Sequence, residues 1–349
     1  MEIPEFSPVL RAWFKASARA LPWRETKDPY RIWLSEIILQ QTRVDQGIGY
    51  YLRFVEAFPD VRALAEADDD HVMRLWQGLG YYSRARNLLA AARQVADFYG
   101  GQFPQDYERL LELKGVGEYT AAAIASFAFD LPNAVVDGNV FRFISRLFGV
   151  RTPIDSGEGK KEFAVWAAGL LDRNHPAEHN QAMMEMGATV CKPKNPACTE
   201  CPFSLACHAY IQGEIEQLPV KAGRTRVEVR YLQYFFVSDG EFTWIRKRME
   251  KGIWQDLFEW PGVETVDEKS TPVPPHEIRL ALEQGRAVIR GVPVQARHLL
   301  SHRDLRVQIW KVHFEGELPD SALYRKVELD DLKDFAMPRL FTRYLEQHG

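Results

Sequence analysis

The chain has 349 residues, 46% of them hydrophobic and 26% charged, with a formal net charge of -4. That balance excludes a protein that coats nucleic acid through bulk positive charge, while leaving local basic patches open. No uninterrupted apolar run is long enough to cross a bilayer, and the N-terminal "MEIPEFSPVLRAWFKASARALPW" has neither the basic start nor the apolar core of a signal peptide, so the expected compartment is the reducing cytoplasm.

The length predicts two or three domains. Residues 6 to about 215 read as a succession of helices with polar, Gly or Pro breaks. "SPVLRAWFKASAR" puts Val9, Leu10, Trp13 and Phe14 on one face, "YRIWLSEIILQQT" follows Pro29, and "VDQGIGYYLRFVEAF" ends before Pro59. The acidic opening of "DDDHVMRLWQGL" suits a helix N-terminus, and "SRARNLLAAARQVADFYGG" stops on two glycines. "YTAAAIASFAF" is apolar nearly all round, as a buried helix is. Beyond Pro219 and Gly223 the period becomes two: "RYLQYFFVSDGEFTWIRKR" reads as a hairpin turning at "SDGE", with further strands in "LRVQIWKVHFEG" and "YRKVEL". "PHEIRLALEQ" and "MPRLFTRYLEQ" read as helices. The expected architecture is an all-α part over residues 1–215, a linker over 216–228 and an α+β domain over 229–349.

Within the helical part, "LKGVGEYTA" (residues 113–121) joins two helices through a Gly-x-Gly hairpin. The glycines let backbone approach a partner closely, and the free amides opening the second helix suit an anion such as a DNA phosphate. In "VVDGNVFRFISR", Asp137 stands where a helix begins, the place of an N-cap. Glu36 lies among Trp33, Leu34, Ile37, Ile38 and Leu39. There it occupies either the solvated stripe or an apolar pocket, and a pocket would raise its pKa and fit it to give up a proton.

All four cysteines fall in "CKPKNPACTECPFSLAC", as Cys191, Cys198, Cys201 and Cys207. A chain of this length in a reducing compartment needs no disulfide staples, so metal ligation is favoured. Structural zinc sites usually pair two tight C-x2-4-C knuckles. Here only Cys198 and Cys201 form one, and the wider arms suit a larger object, an iron-sulfur cluster, with zinc left open on spacing alone.

Together with "LPWR", "GLGYYSRARNL" and "NQAMMEMGA", these stretches resemble the adenine DNA glycosylases of the MutY type, within the endonuclease III helix-hairpin-helix superfamily. The resemblance runs from about residue 6 to the C-terminal end. It implies a glycosylase region of two parts, a six-helix barrel over about 28–135 with the helix-hairpin-helix at 107–127, and an iron-sulfur subdomain from about 1–27 and 136–215. A Nudix-like domain would follow, used to detect 8-oxoguanine. The four cysteines would ligate a [4Fe-4S] cluster. Glu36 would be the general acid that protonates N7 of adenine, and Asp137 the carboxylate that stabilises the sugar cation. Tyr119 and Asn139 match positions beside the reacting sugar. Relatives that cut the strand carry a lysine where this chain has Tyr119, so the resemblance implies a glycosylase without strong lyase activity.

Further implied DNA contacts are Gly115, Val116 and Gly117 of the hairpin, and Gln41, Thr42, Leu79 and Tyr81 near the opposing base. Arg84 and Arg86 read either as phosphate holders or as solvated helix charges. "LLSHRDL" matches the family's Phe-Ser-His recognition loop at Ser301 and His302, with Leu300 in place of the usual phenylalanine. "HEIRLALEQGRAVIRG" lacks the glutamate cluster of a Nudix box, so metal-dependent pyrophosphate hydrolysis is not expected. The expected partner is duplex DNA carrying 8-oxoguanine:adenine or guanine:adenine mispairs, bound by a monomer and with no membrane. Lys192 and Lys194, between the first two thiols, are expected to face DNA phosphates.

Overall fold

A computed structural model describes residues 6–223, 227–300 and 302–348. The chain divides into two compact units: residues up to Ala67 with Arg86–Gly223, and Asp68–Ala85 with the described residues after Gly223. Among the described residues no helix is long and apolar enough to cross a membrane.

The first unit is helical because its sequence supplies both apolar faces and stop signals. Asp28 caps the helix Pro29–Leu39 by accepting from the Tyr30 amide, and Pro29 adds a preset first turn. Asp60, Asp106, Asp137 and Ser156 cap later helices in the same way. The helix Gly138–Phe148 ends on Gly149 in the left-handed region, at φ 73°. Glu118–Phe129 is buried on every side, and the helices Phe6–Ser17, Gly138–Phe148 and Pro176–Glu185 share a core around Leu10, Phe143, Ile144 and Met183. Past Glu185 the same rod continues as a π-helix, Met186–Val190, which delivers Cys191.

In the second unit, seven strands form one sheet: β1 (Glu228–Ser238), β2 (Phe242–Lys247), β3 (Phe258–Glu259), β4 (Gly262–Thr265), β5 (Ala287–Leu299), β6 (Arg303–Phe314) and β7 (Arg325–Glu328). The main order is β3-β2-β1-β6-β5, with β4 also on β1 and β7 also on β2. β1 and β6 run parallel and β5 and β6 form a long antiparallel hairpin. Alternation along β1 sends Phe235 and Val237 into a core with Ile278 of the helix His276–Glu283. Tyr234 and Phe236 go to the other face, against Phe341 and Tyr344 of the helix Arg339–His348. The "SDGE" turn joins β1 to β2 as expected, whereas β5 is a strand that the sequence pattern does not announce.

Candidate active site

The Pro29–Leu39 helix buries eight consecutive residues, Tyr30 and Ile32 through Ile38 flanking the turn that carries Glu36, which is only 5% exposed. The solvated-stripe alternative for Glu36 is thereby removed. Its Oε2 accepts from the Tyr119 hydroxyl at 2.5 Å. Burial is the main influence on its pKa, raising it to about 7; Asp137 pushes in the same direction, while the Tyr119 hydrogen bond and Arg24 oppose it. A glutamic acid near neutral pH can both hold and release a proton.

Asp137 is an N-cap and something more. Its Oδ1 accepts from the amides of Asn139 (2.9 Å) and Val140 (2.8 Å), and its Oδ2 from Asn139 Nδ2 (2.7 Å). Burial raises its pKa above the usual aspartate value, and those three donors pull the other way by favouring the anion. The donors are fixed in turn: Arg142 donates to Asn139 Oδ1 (2.8 Å), to the Gly187 carbonyl (2.7 Å) and to the Cys191 carbonyl (2.7 Å). A Cβ at Gly187 would stand 2.6 Å from the Asn139 carbonyl oxygen, so only glycine lets the π-turn approach this closely.

Glu36, Tyr119, Asp137, Asn139, Gln41 and Thr42 line one cavity of about 340 Å³. That volume falls within the usual range for small-ligand sites, roughly 300–1,000 Å³. Gln41 ends its helix with φ 57°, left-handed geometry that a non-glycine residue seldom takes, and it turns the chain at the cavity's rim.

The same cavity holds a group the sequence does not single out. Glu185, fully buried, accepts from Arg19 Nε and Nη2 at 2.7 Å each and from Arg24 Nη2 at 2.8 Å. Burial disfavours the charge, but the two guanidiniums hold its carboxyl down to about 2. Such a group stabilises the fold at any pH above the ordinary glutamate range, and that contribution is lost only as pH falls towards 2. Replacing Glu185 by Ala strands two partly buried guanidiniums and is expected to lower stability by about 3 kcal/mol, read by urea denaturation. The signal was present as a lone carboxylate in "NQAMMEMGA" and two arginines in "SARALPWR".

The hairpin Lys114–Gly117 presents Gly115 at φ 76°, where a Cβ would also meet Asn87 at 2.6 Å. Gly117 precedes Glu118 with no side-chain cap, so the first amides of that helix are open to an anion. Val116 is buried, so its contribution to a partner is its backbone. In the other unit, Gly78, Gly80 and Tyr81 all have positive φ and make a tight turn in which Leu79 is buried and Tyr81 is 44% exposed. Arg84 is buried under this turn, donating to the Leu79 and Gly80 carbonyls, so it braces the loop and is not a solvated charge. His302 is exposed at the tip of the β5–β6 hairpin, and Ser301 lies outside the described residues.

All four cysteines line one cavity with Phe143, Leu147, Val190 and Ile215. Arg146 Nη1 stands 3.5 Å from Cys191 Sγ and also holds the Lys192 carbonyl at 2.8 Å. Among the described residues no three His, Cys, Asp or Glu side chains converge on a point fit for a single metal ion. Four thiols around one apolar cavity, too widely set for one ion, fit a multi-iron cluster better than zinc.

Comparison with known proteins extends this picture. The profile of the HhH-GPD superfamily of base excision DNA repair proteins matches residues 34–168, and that of the NUDIX domain matches 233–347. An adenine DNA glycosylase of Buchnera aphidicola is 30% identical over 309 residues, 87% of this chain and 85% of its own. The human adenine DNA glycosylase is 41% identical over 226 residues, 62% of this chain and 41% of its own. A solved thermostable thymine-DNA glycosylase superposes with a TM-score of 0.55 and 29% identity, covering 59% of this chain and 95% of its own. Fold and site thus define a helix-hairpin-helix base-excision repair protein joined to a Nudix domain. More narrowly, the chain belongs to the adenine DNA glycosylase family.

Proposed function

We propose that the protein hydrolyses the N-glycosidic bond of adenine mispaired with 8-oxoguanine or guanine in duplex DNA, leaving an abasic site. The observation that carries this reading is the pairing of a buried, near-neutral Glu36 with a three-fold hydrogen-bonded Asp137 on one cavity. Adenine leaves poorly as an anion, so its departure needs a proton, and Glu36 supplies it. Positive charge develops on the sugar as the bond lengthens, and the Asp137 carboxylate faces it. The base reaches the cavity only when flipped out of the duplex. Tyr119 stands where a lyase would need an amine, so water is the acceptor and the strand stays intact.

Cys191, Cys198, Cys201 and Cys207 would hold a [4Fe-4S] cluster, which when bound supplies a rigid four-point tie for the loop. Lys192 and Lys194 are exposed on that loop. Lys192→Ala is expected to weaken duplex binding and to reduce the salt slope by about one, leaving cleavage of bound DNA unchanged; fluorescence anisotropy across a salt series reads both.

Because the Tyr119 hydrogen bond favours the Glu36 anion, Tyr119→Phe is expected to move the high-pH limb of the reaction upward by about one pH unit, measured as a single-turnover pH profile. The function itself is tested by single-turnover adenine release from duplexes with 8-oxoguanine, guanine or cytosine opposite. Release from the first two and not the third is expected. Stoichiometric trapping of an enzyme-DNA adduct by borohydride, without free adenine, would sink the reading.

A further inference from the structure

One face of the Nudix-domain sheet changes character halfway along. On β1 the residues Tyr231, Gln233, Phe235 and Val237 point to the same side, and they stand in register with Arg306, Gln308, Trp310 and Val312 on β6. β5 continues the rows with Arg297 opposite Arg306 and Gln295 opposite Gln308. The Phe235 and Val237 half lies under the helix His276–Glu283. The other half is open, and its side chains enclose a cavity of about 160 Å³ lined by Tyr231, Gln233, Gln295, Arg297, Arg306 and Gln308.

This polar half is built, not merely solvated. Gln233 is 1% exposed, and its Oε1 accepts from the Trp310 indole at 2.9 Å, which fixes the amide plane. Its Nε2 has no hydrogen-bond partner among the described residues although it belongs to the cavity wall. A buried amide donor left in that state costs about 1–3 kcal/mol unless something in the cavity accepts from it. Asp304, 5% exposed, clamps Arg297 with two contacts of 2.8 Å and Arg306 with one of 3.1 Å. The guanidinium planes are thereby held against the opening. Their charge is answered by Asp304, and Glu268 adds a second carboxylate to the rim, so the cavity has no surplus for a phosphate.

We propose that this half-face binds a single purine base, offered either by a free nucleoside or by an unpaired nucleotide of a DNA strand. Carboxamides and guanidiniums are the groups that pair with purine edges, Gln with adenine N6 and N7 and Arg with guanine O6 and N7. The three glutamines come from three adjacent strands, which places the outer two about 10 Å apart. A bicyclic base bridges more of that span than a single ring does. The volume is below the roughly 300–1,000 Å³ of drug-sized sites, room for one base and not for a nucleotide with its phosphates. Tyr231 gives the ring a stacking surface. This site is separate from the adenine-release cavity, whose lining residues all lie in the other unit.

The test is isothermal titration of the full chain with guanosine, 8-oxoguanosine, adenosine and cytidine. Saturable binding of at least one purine nucleoside below about 1 mM, with cytidine at least tenfold weaker, is expected. Gln308→Leu and the exposed Gln295→Leu should each weaken it at least tenfold, while melting temperature and adenine release stay unchanged. Gln233→Leu should do the same; the two less buried variants carry the test if it fails to fold. Titration with a duplex bearing an unpaired purine bulge identifies the source: loss of affinity for the bulge in these variants assigns a DNA-borne base, and loss for nucleosides alone assigns a free one. Absence of saturable purine binding by both ligand types, or purine binding untouched by Gln308→Leu and Gln295→Leu, overturns the proposal.

Discussion

Glu36→Gln lowers single-turnover adenine release by about 10³-fold, the middle-to-upper part of what general acid catalysis contributes. Glutamine keeps the size of the side chain and an oxygen to accept from Tyr119, so the packing of the Pro29–Leu39 helix is preserved. What it lacks is the proton. The pH profile separates this loss from a binding defect. In the parent protein the acid form of Glu36 predominates below about 7 and is lost above it, so the rate falls tenfold per pH unit on the alkaline side. In the variant that limb disappears. A variant that released adenine within tenfold of the parent, with the limb intact, would place the acid elsewhere.

Asp137→Asn is the sharper of the two tests, because it divides the residue's two jobs. Asparagine caps helices about as well as aspartate, so the Gly138–Phe148 helix should start where it does now and the melting temperature should hold within a few degrees. The negative charge beside the sugar is gone, however, and removal of one aligned electrostatic partner of a transition state typically costs about 10²–10³ in rate. A fall of that size in the chemical step, with unchanged duplex affinity, is the expected outcome of single-turnover kinetics. Asp137→Ala loses cap and charge together, and its additional loss of about 1 kcal/mol in stability measures the cap alone. Were Asn and Ala equally folded and equally fast as the parent, Asp137 would be a cap and nothing else.

The polar end of this chemistry was readable because its residues stand out from their surroundings. A carboxylate amid Trp33, Leu34, Ile37 and Ile38 is conspicuous, and an Asp before Gly-Asn at a helix start is a recognisable punctuation mark. The helices of the first unit were equally legible, since their caps and breaks are local. Glu185 was not, because its partners Arg19 and Arg24 sit more than 160 residues away and long-range pairing leaves no periodic trace. β5 was hidden for a different reason: Gly291 and Pro293 interrupt its alternation, and the register with β6 shifts between Arg290 and Val294, a bulge that the partner strand tolerates. The parallel pairing of β1 with β6 is likewise a property of topology, settled by neighbours distant in sequence. The π-turn at Met186–Val190 depends on Gly187 meeting Asn139, a contact that the stretch "MEMGA" gives no means to foresee.

The clasp between Arg19 and Glu185 spans 166 residues, and Arg11 reaches Asp172 and Glu178 from the same N-terminal helix. The first segment made on the ribosome is therefore among the last to find its place. Until the chain has emerged past Glu185, Glu36 and Asp137 exist but the wall that isolates them from water does not. Synthesis alone thus delays the appearance of a competent acid, since loop closure over such a distance is slow as well as late. A nascent or prematurely terminated chain ending before residue 185 would carry both reactive carboxylates in harmless form, and excision would begin only with a finished domain.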